Sequence, residues 1–238
     1  MLTSLLIGVL VLNLLALGLV VARGPVFGTR VYRPMLLNLA LSAAPLAILV
    51  VGLVVWVVLL AVGAHAVARV VLVLGFVVWL LVLPNAGYLI TELNLSHRRA
   101  GERVPEWYDV LLVLALAMSG VLNTVLNVFL VQLEYTLVRF GDSDAAPLAS
   151  TEVRVLVGCV LVLVAFGVHL GRTVRVNSWD VLRPWRLVAA VWNHLRTPGA
   201  IGDAVGFTLI ATVFFATMYL VVAGPVIQGL VALEAARR

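Results

Sequence analysis

Lysine is absent from all 238 residues, so each of the 16 basic side chains is an arginine. That excludes Schiff-base chemistry on a lysine amine and any phosphate loop closing on Gly-Lys-Ser/Thr. Cysteine occurs once, at Cys159, which rules out an intramolecular disulfide and a thiolate metal site. Charged residues of either sign make up 11% of the chain, where a soluble domain carries about 25%. No HExxH pair and no GxSxG elbow occurs, so zinc-protease and α/β-hydrolase chemistry lack their local patterns. No polar linker divides the chain, and a single integral membrane domain over 1–238 is expected.

What fills the sequence is hydrocarbon: 63% of residues are hydrophobic and the mean hydropathy is +1.16. Such a chain cannot cover its apolar surface with polar groups in water, and in lipid it need not. Six runs are long enough to span a bilayer core as helices of about 20 residues, at roughly 2–22, 35–61, 67–91, 108–135, 152–171 and 205–226. They are continuous rather than alternating, which excludes an outer-membrane barrel. The expected fold is all-α: a polytopic transmembrane bundle of about six spanning helices. The first run reads as a retained helix, because Met1 to Ser4 carries no arginine and the run exceeds the roughly 7–15 residues of a secretory h-region. Arg23-Gly24-Pro25 is expected to end it. Pro84, inside the third run, removes a backbone donor and is expected to kink or break that helix.

The arginines fall unequally between the spans. Loops one, three and five hold eleven: Arg23, Arg30, Arg33, Arg98, Arg99, Arg103, Arg172, Arg175, Arg183, Arg186 and Arg196. The other side holds five: Arg69, Arg139, Arg154, Arg237 and Arg238. The positive-inside rule then places loops one, three and five in the cytoplasm, with the protein in a cell (inner) membrane. The charge is thus read as topology and not as nucleic-acid binding. In the fifth loop, Trp185, Val188, Trp192 and Leu195 recur at helical spacing, as an amphipathic helix in the headgroup layer or as an ordinary belt-bearing connector.

The fourth span carries the densest polar pattern. At 100° per residue, Asp109, Gly120, Asn123, Asn127 and Glu134 fall on one narrow face. The row runs about 37 Å at 1.5 Å per residue, longer than the ~30 Å hydrocarbon core. It must face other helices or water, either as packing glue or as a solvated path. Asn85, Tyr88 and Glu92 share a face after Pro84. His169 and Arg172 lie on the polar side of the fifth span. His169 is read as a packing histidine or a ligand, and Arg172 and Arg175 as topology markers or a clamp for an anionic group. The topology gathers Glu92, His97, Asp109, His169, Arg172, Arg175, Asn177 and Asp180 at one membrane surface. No histidines stand at local ligand spacing, so neither a metal nor a cofactor is expected.

Three ordered segments carry a resemblance: Leu83 to Leu93 (LPNAGYLITEL), Trp107-Tyr108-Asp109, and Gly171-Arg172 followed by Asn177-Ser178-Trp179-Asp180. They resemble the bacterial membrane-protein family called domain of unknown function 1361, whose members carry an LPNAPY-x-x-TDL-like run, a WYD and a GR…NSWD. The likeness covers roughly residues 75–225. Gly87 stands where a proline is usual, Glu92 replaces an aspartate, and the histidine associated with the first motif would fall near Leu95, whereas this chain has His97. The resemblance implies no activity, but it selects Pro84, Asn85, Tyr88, Thr91, Glu92, Trp107, Tyr108, Asp109, Gly171, Arg172, Asn177, Ser178, Trp179 and Asp180. Three functions stay open: binding or passage of a small polar solute or ion at the cytoplasmic boundary, catalysis on a lipid or lipid-linked substrate with Arg172 holding an anionic headgroup, and a non-catalytic scaffold. The lipid bilayer is the one partner common to all three.

Overall fold

A computed structural model describes residues 2–29, 33–93, 104–141, 145–173 and 184–236. Helix α1 spans Leu2–Phe27 and α2 spans Arg33–Ala61. Helix α3, His65–Val82, breaks at Leu83 and continues as the short α4, Pro84–Tyr88, and a 3-10 turn, Leu89–Leu93. The long α5, Glu106–Phe140, leads through a 3-10 turn at Ala146–Ala149 into α6, Thr151–Thr173. Then come α7, Pro184–Leu195, α8, Ala200–Val222, and α9, Gly224–Ala235. Taking α3 with its continuation as one unit, six helices among the described residues are long and apolar enough to cross a membrane.

The spans form a polytopic bundle around α5. Leu112, Leu116, Val121, Val125, Val128 and Phe129 of α5 are buried toward different neighbours, and α5 meets α1, α2, α4, α6 and α8. The outer helices bury only one side. Leu10, Val54, Val73 and Ile210 all point outward, more than half exposed, as expected where lipid is the solvent. Arg23 near the end of α1 meets Asp109 near the start of α5, which defines an Asp109 end of the bundle, and Glu134 lies toward the other end of α5.

Helix boundaries depart from the sequence reading at the end of α5, which runs to Phe140, and at the first and last spans. The triplet Arg23-Gly24-Pro25 does not end α1, which runs on to Phe27 with Pro25 inside it. A proline this near a C-terminus deprives only one carbonyl of its donor, and Gly28, at φ 66°, makes the actual stop. The last span covers 200–222 rather than 205–226: Gly199, at φ 84°, sets its start. Gly224-Pro225 then opens α9, which the sequence reading did not separate. Proline at the first turn of a helix is tolerated because its missing N–H has no partner there in any case.

At the Glu134 end the turn before α6 is tied down by polar contacts. The Gln132 amide donates to the Leu148 carbonyl at 2.8 Å, the Tyr219 hydroxyl donates to Gln132 Oε1, and the Ala145 N–H donates to the Glu234 carboxylate of α9. These contacts join α5, α8 and α9 around one turn.

Candidate functional site

The deep amides of α5, Asn123 and Asn127, are buried, and their partners come from the surrounding helices and from α5 itself. Asn123, midway along α5, donates from Nδ2 to Asn13 Oδ1 of α1 at 3.0 Å and to Ser42 Oγ of α2 at 2.9 Å. Asn13 donates in return to Asn123 Oδ1 at 2.8 Å and to its own Val9 carbonyl at 2.8 Å. One turn on, Asn127 Nδ2 reaches the Asn123 carbonyl at 2.8 Å, and Trp79 Nε1 of α3 donates to Asn127 Oδ1 at 3.0 Å. An unpaired amide in hydrocarbon costs several kcal/mol. Reciprocal amide pairing removes that cost for α1, α2, α3 and α5 together. The deep part of the row is a closed hydrogen-bonded spine.

Pro84 breaks the third span against this spine. Having no N–H, it leaves the Leu80 carbonyl without its helical donor. Around the break, Leu83 N–H still donates to the Trp79 carbonyl at 2.8 Å and Ala86 N–H to the Leu83 carbonyl at 2.9 Å. Ser42 Oγ donates to the Ala86 carbonyl at 3.1 Å, so α2 holds both the spine and the break. The turn is seated on glycines. A Cβ at Gly120 would lie 2.9 Å from the Ala86 carbonyl oxygen, and one at Gly167 only 2.3 Å from Pro84 Cγ. Gly87 itself lets the Phe215 ring of α8 approach its backbone, where a Cβ would lie 2.9 Å from Cζ. Tyr88 lies against Gly171, and Asn85 is half-buried beside it in the turn.

At the Asp109 end the candidates separate into two groups. Asp109 accepts from Arg23 Nε of α1 at 3.0 Å, with both side chains largely buried. Beside it the Tyr108 hydroxyl donates to the Leu19 carbonyl at 2.7 Å, and the Tyr108 ring meets Phe27 edge-on. Trp107 points outward, 61% exposed. Asp109 therefore closes on α1. Arg172, exposed at the end of α6, is not its partner.

The second group lies where α6, α7 and α8 meet. His169 is buried, with ring centroids 6.0 Å from His194 of α7 and 5.4 Å from Phe207 of α8. Asp203, in the first turn of α8, and Arg172 lie within electrostatic reach of His169 with opposite signs. Neither His169 Nε2 nor His194 Nε2 has a hydrogen-bond partner among the described residues, though both atoms are buried. Thr208 and Thr212, on the inward side of α8, carry buried hydroxyl oxygens in the same condition. Since Gly167 and Gly171 face α4, His169 faces away from Tyr88. The two therefore do not line one pocket.

The side chain of Glu92, and all of His97, Arg175, Asn177, Ser178, Trp179 and Asp180, lie outside the described residues. Among those described, no group of three or more His, Cys, Asp or Glu side chains is arranged to hold a metal ion. Sequence reasoning missed Asn13, Trp79 and His194. Asn13 had a usable signal, being a lone amide in the middle of an apolar span. His194 sits on a helix whose amphipathic pattern was read from its tryptophans alone. That helix, α7, does form, with Trp185, Val188 and Trp192 exposed and Arg196 stacked over Trp192 at 4.8 Å.

Six apolar spans, an all-helical bundle and a polar interior define a multi-pass membrane protein. Within that class the chain belongs to the family described as protein of unknown function (DUF1361), which matches residues 37–220. No curated protein and no solved structure matches it.

Proposed function

We propose that the protein binds a small polar solute or ion at its Asp109 end, beside His169 and His194 where α6, α7 and α8 meet. The observation that carries this reading is the pair of touching imidazoles whose Nε2 atoms are buried with no hydrogen-bond partner among the described residues. Leaving a buried polar atom unpaired costs roughly 1–3 kcal/mol. Two side by side make a site whose hydrogen bonds a ligand completes. Imidazole suits this work because Nε2 donates or accepts according to tautomer. Asp203 and Arg172 bring one charge of each sign to the rim.

Binding is favoured over passage along α5. The Asn13–Asn123–Asn127 spine spends its amides on neighbouring helices, which leaves no continuous row of groups for a moving solute. The arginine excess of loops one, three and five supports a cytoplasmic position for this end.

The test is nitrogen NMR of histidine-labelled protein in lipid nanodiscs, titrated with inorganic phosphate, acetate and ammonium chloride in turn. Binding shifts the Nε2 signals of His169 and His194 together with at least one probe, and His194→Phe abolishes the response at His169. Shifts confined to His65 and His97, or none with any probe, would end the proposal.

A further inference from the structure

A second site lies at the opposite end of the bundle, independent of the histidine pair. Helices α2, α3 and α5 enclose a cavity of about 340 Å³, walled by Leu49, Gly52, Leu72, Phe76, Val131 and Val138, with a contribution from α6. Two glycines hollow it out: a Cβ built at Gly52 or Gly75 meets nothing within 4 Å. Its rim opens sideways, because Val73 and Val138 are exposed on the outer surface.

One carboxylate stands in this hydrocarbon wall. Glu134 is half-buried there and has no hydrogen bond or ion pair with any described residue. Its neighbours are already engaged: Tyr135 donates to Glu152, and Arg139 lies 3.7 Å from Glu152. On α3, Arg69 is exposed one turn outside Leu72 and two outside Phe76, on the same side of the helix. It too forms no ion pair with a described carboxylate. A charge held at the edge of an apolar chamber calls for a ligand with an opposite charge and a hydrocarbon tail.

We propose that this cavity binds an aminophospholipid. An acyl chain fills the space left by Gly52 and Gly75, the primary ammonium is held by Glu134, and the phosphate lies toward Arg69, which snorkels to headgroup depth. The lateral opening lets the lipid enter from the bilayer.

The test is native mass spectrometry of the purified full chain, released from detergent after equilibration with equal amounts of phosphatidylethanolamine and phosphatidylglycerol of identical acyl chains. The wild type retains the ethanolamine lipid in roughly tenfold preference, the size that one charge-assisted hydrogen bond supplies. Glu134→Gln removes the preference, and Gly75→Leu, which fills open space, removes tight retention of both lipids. Helical content by circular dichroism confirms that each variant is folded. Equal retention of the two lipids by the wild type overturns the proposal. An undiminished preference in Glu134→Gln does the same, as does full retention in Gly75→Leu.

Discussion

Replacing Gly167 with alanine adds one methyl group to α6 at its closest approach to the broken third span. That Cβ would lie 2.3 Å from Pro84 Cγ and 2.8 Å from Pro84 Cβ. Carbon atoms in ordinary contact stand about 3.5–4.0 Å apart, so the ring must retreat by roughly 1.2 Å. The turn that carries it is held on two sides. On one side Ala86 and Leu89 already abut Gly120, and on another Gly87 abuts Phe215. Overpacking of this kind costs about 1–3 kcal/mol, and a rigid ring in a seated turn puts Gly167→Ala at the upper end. Gly158, on the same helix, is the internal control: a Cβ there meets nothing within 4 Å. Gly158→Ala should be neutral or should gain up to about 1 kcal/mol of helix propensity. The two variants are thus expected to differ by about 3 kcal/mol, roughly a hundredfold in the unfolding equilibrium. Titration from dodecylmaltoside into dodecyl sulfate, followed by the emission of buried Trp79, measures both. Adding Pro84→Ala should restore part of the loss in Gly167→Ala, since it removes the Cγ contact at 2.3 Å and keeps the Cβ contact at 2.8 Å. Equal stability of the two alanine variants, or no rescue by Pro84→Ala, would refute the seating of the turn on Gly167.

The buried Arg23–Asp109 pair predicts an asymmetry. Arg23→Met or Asp109→Leu alone should cost about 3–5 kcal/mol, whereas the double variant should recover most of it, because the cost lies in the charge left behind; the same titration decides, and additive losses would exclude the pairing. Asn123→Leu strips Asn13 and Ser42 of a shared partner and should cost about 1–2 kcal/mol, given an average near 0.6 kcal/mol per interhelical bond in lipid. Asn13→Leu in the Asn123→Leu background should then add little, and a second loss of equal size would show that the two amides do not depend on each other.

The fold was legible because one solvent dictates it. Runs of about 20 apolar residues leave the backbone no choice but helix in hydrocarbon, and all six runs reappear as spans. The boundaries were less legible where glycine and proline adjoin. At Arg23-Gly24-Pro25 the stop is Gly28, a residue whose positive φ cannot be read from neighbouring composition. The α5 row was legible as a buried face because amides cannot meet lipid, but periodicity on one helix does not name partners on others. Asn13, Ser42 and Trp79 close the row from three different helices. The different surroundings of Asp109 and His169 were illegible for a related reason. Both lie at one end, yet α1 occupies the first and α7 with α8 the second, and charge counting resolves depth without resolving azimuth.

That separation bears on what the polar residues are for. In a bilayer every interior hydrogen-bonding group is either matched by another protein group or left for something that comes from outside. Asn13, Asn123, Asn127, Ser42 and Trp79 are matched, and their geometry fixes four helices around the break at Pro84. The break in turn pins α4 against α6 and α8 through Gly167 and Gly87. Helices α6 and α8, so held, carry His169 and Asp203, and α7 adds His194 where the two meet. The unmatched atoms therefore stand on the helices that the matched ones immobilise. A ligand arriving at those imidazoles would find them already oriented, with little ordering left to be done on binding. Loosening the spine should accordingly weaken the histidine site without touching it, and Asn123→Leu is the variant in which that coupling would be seen.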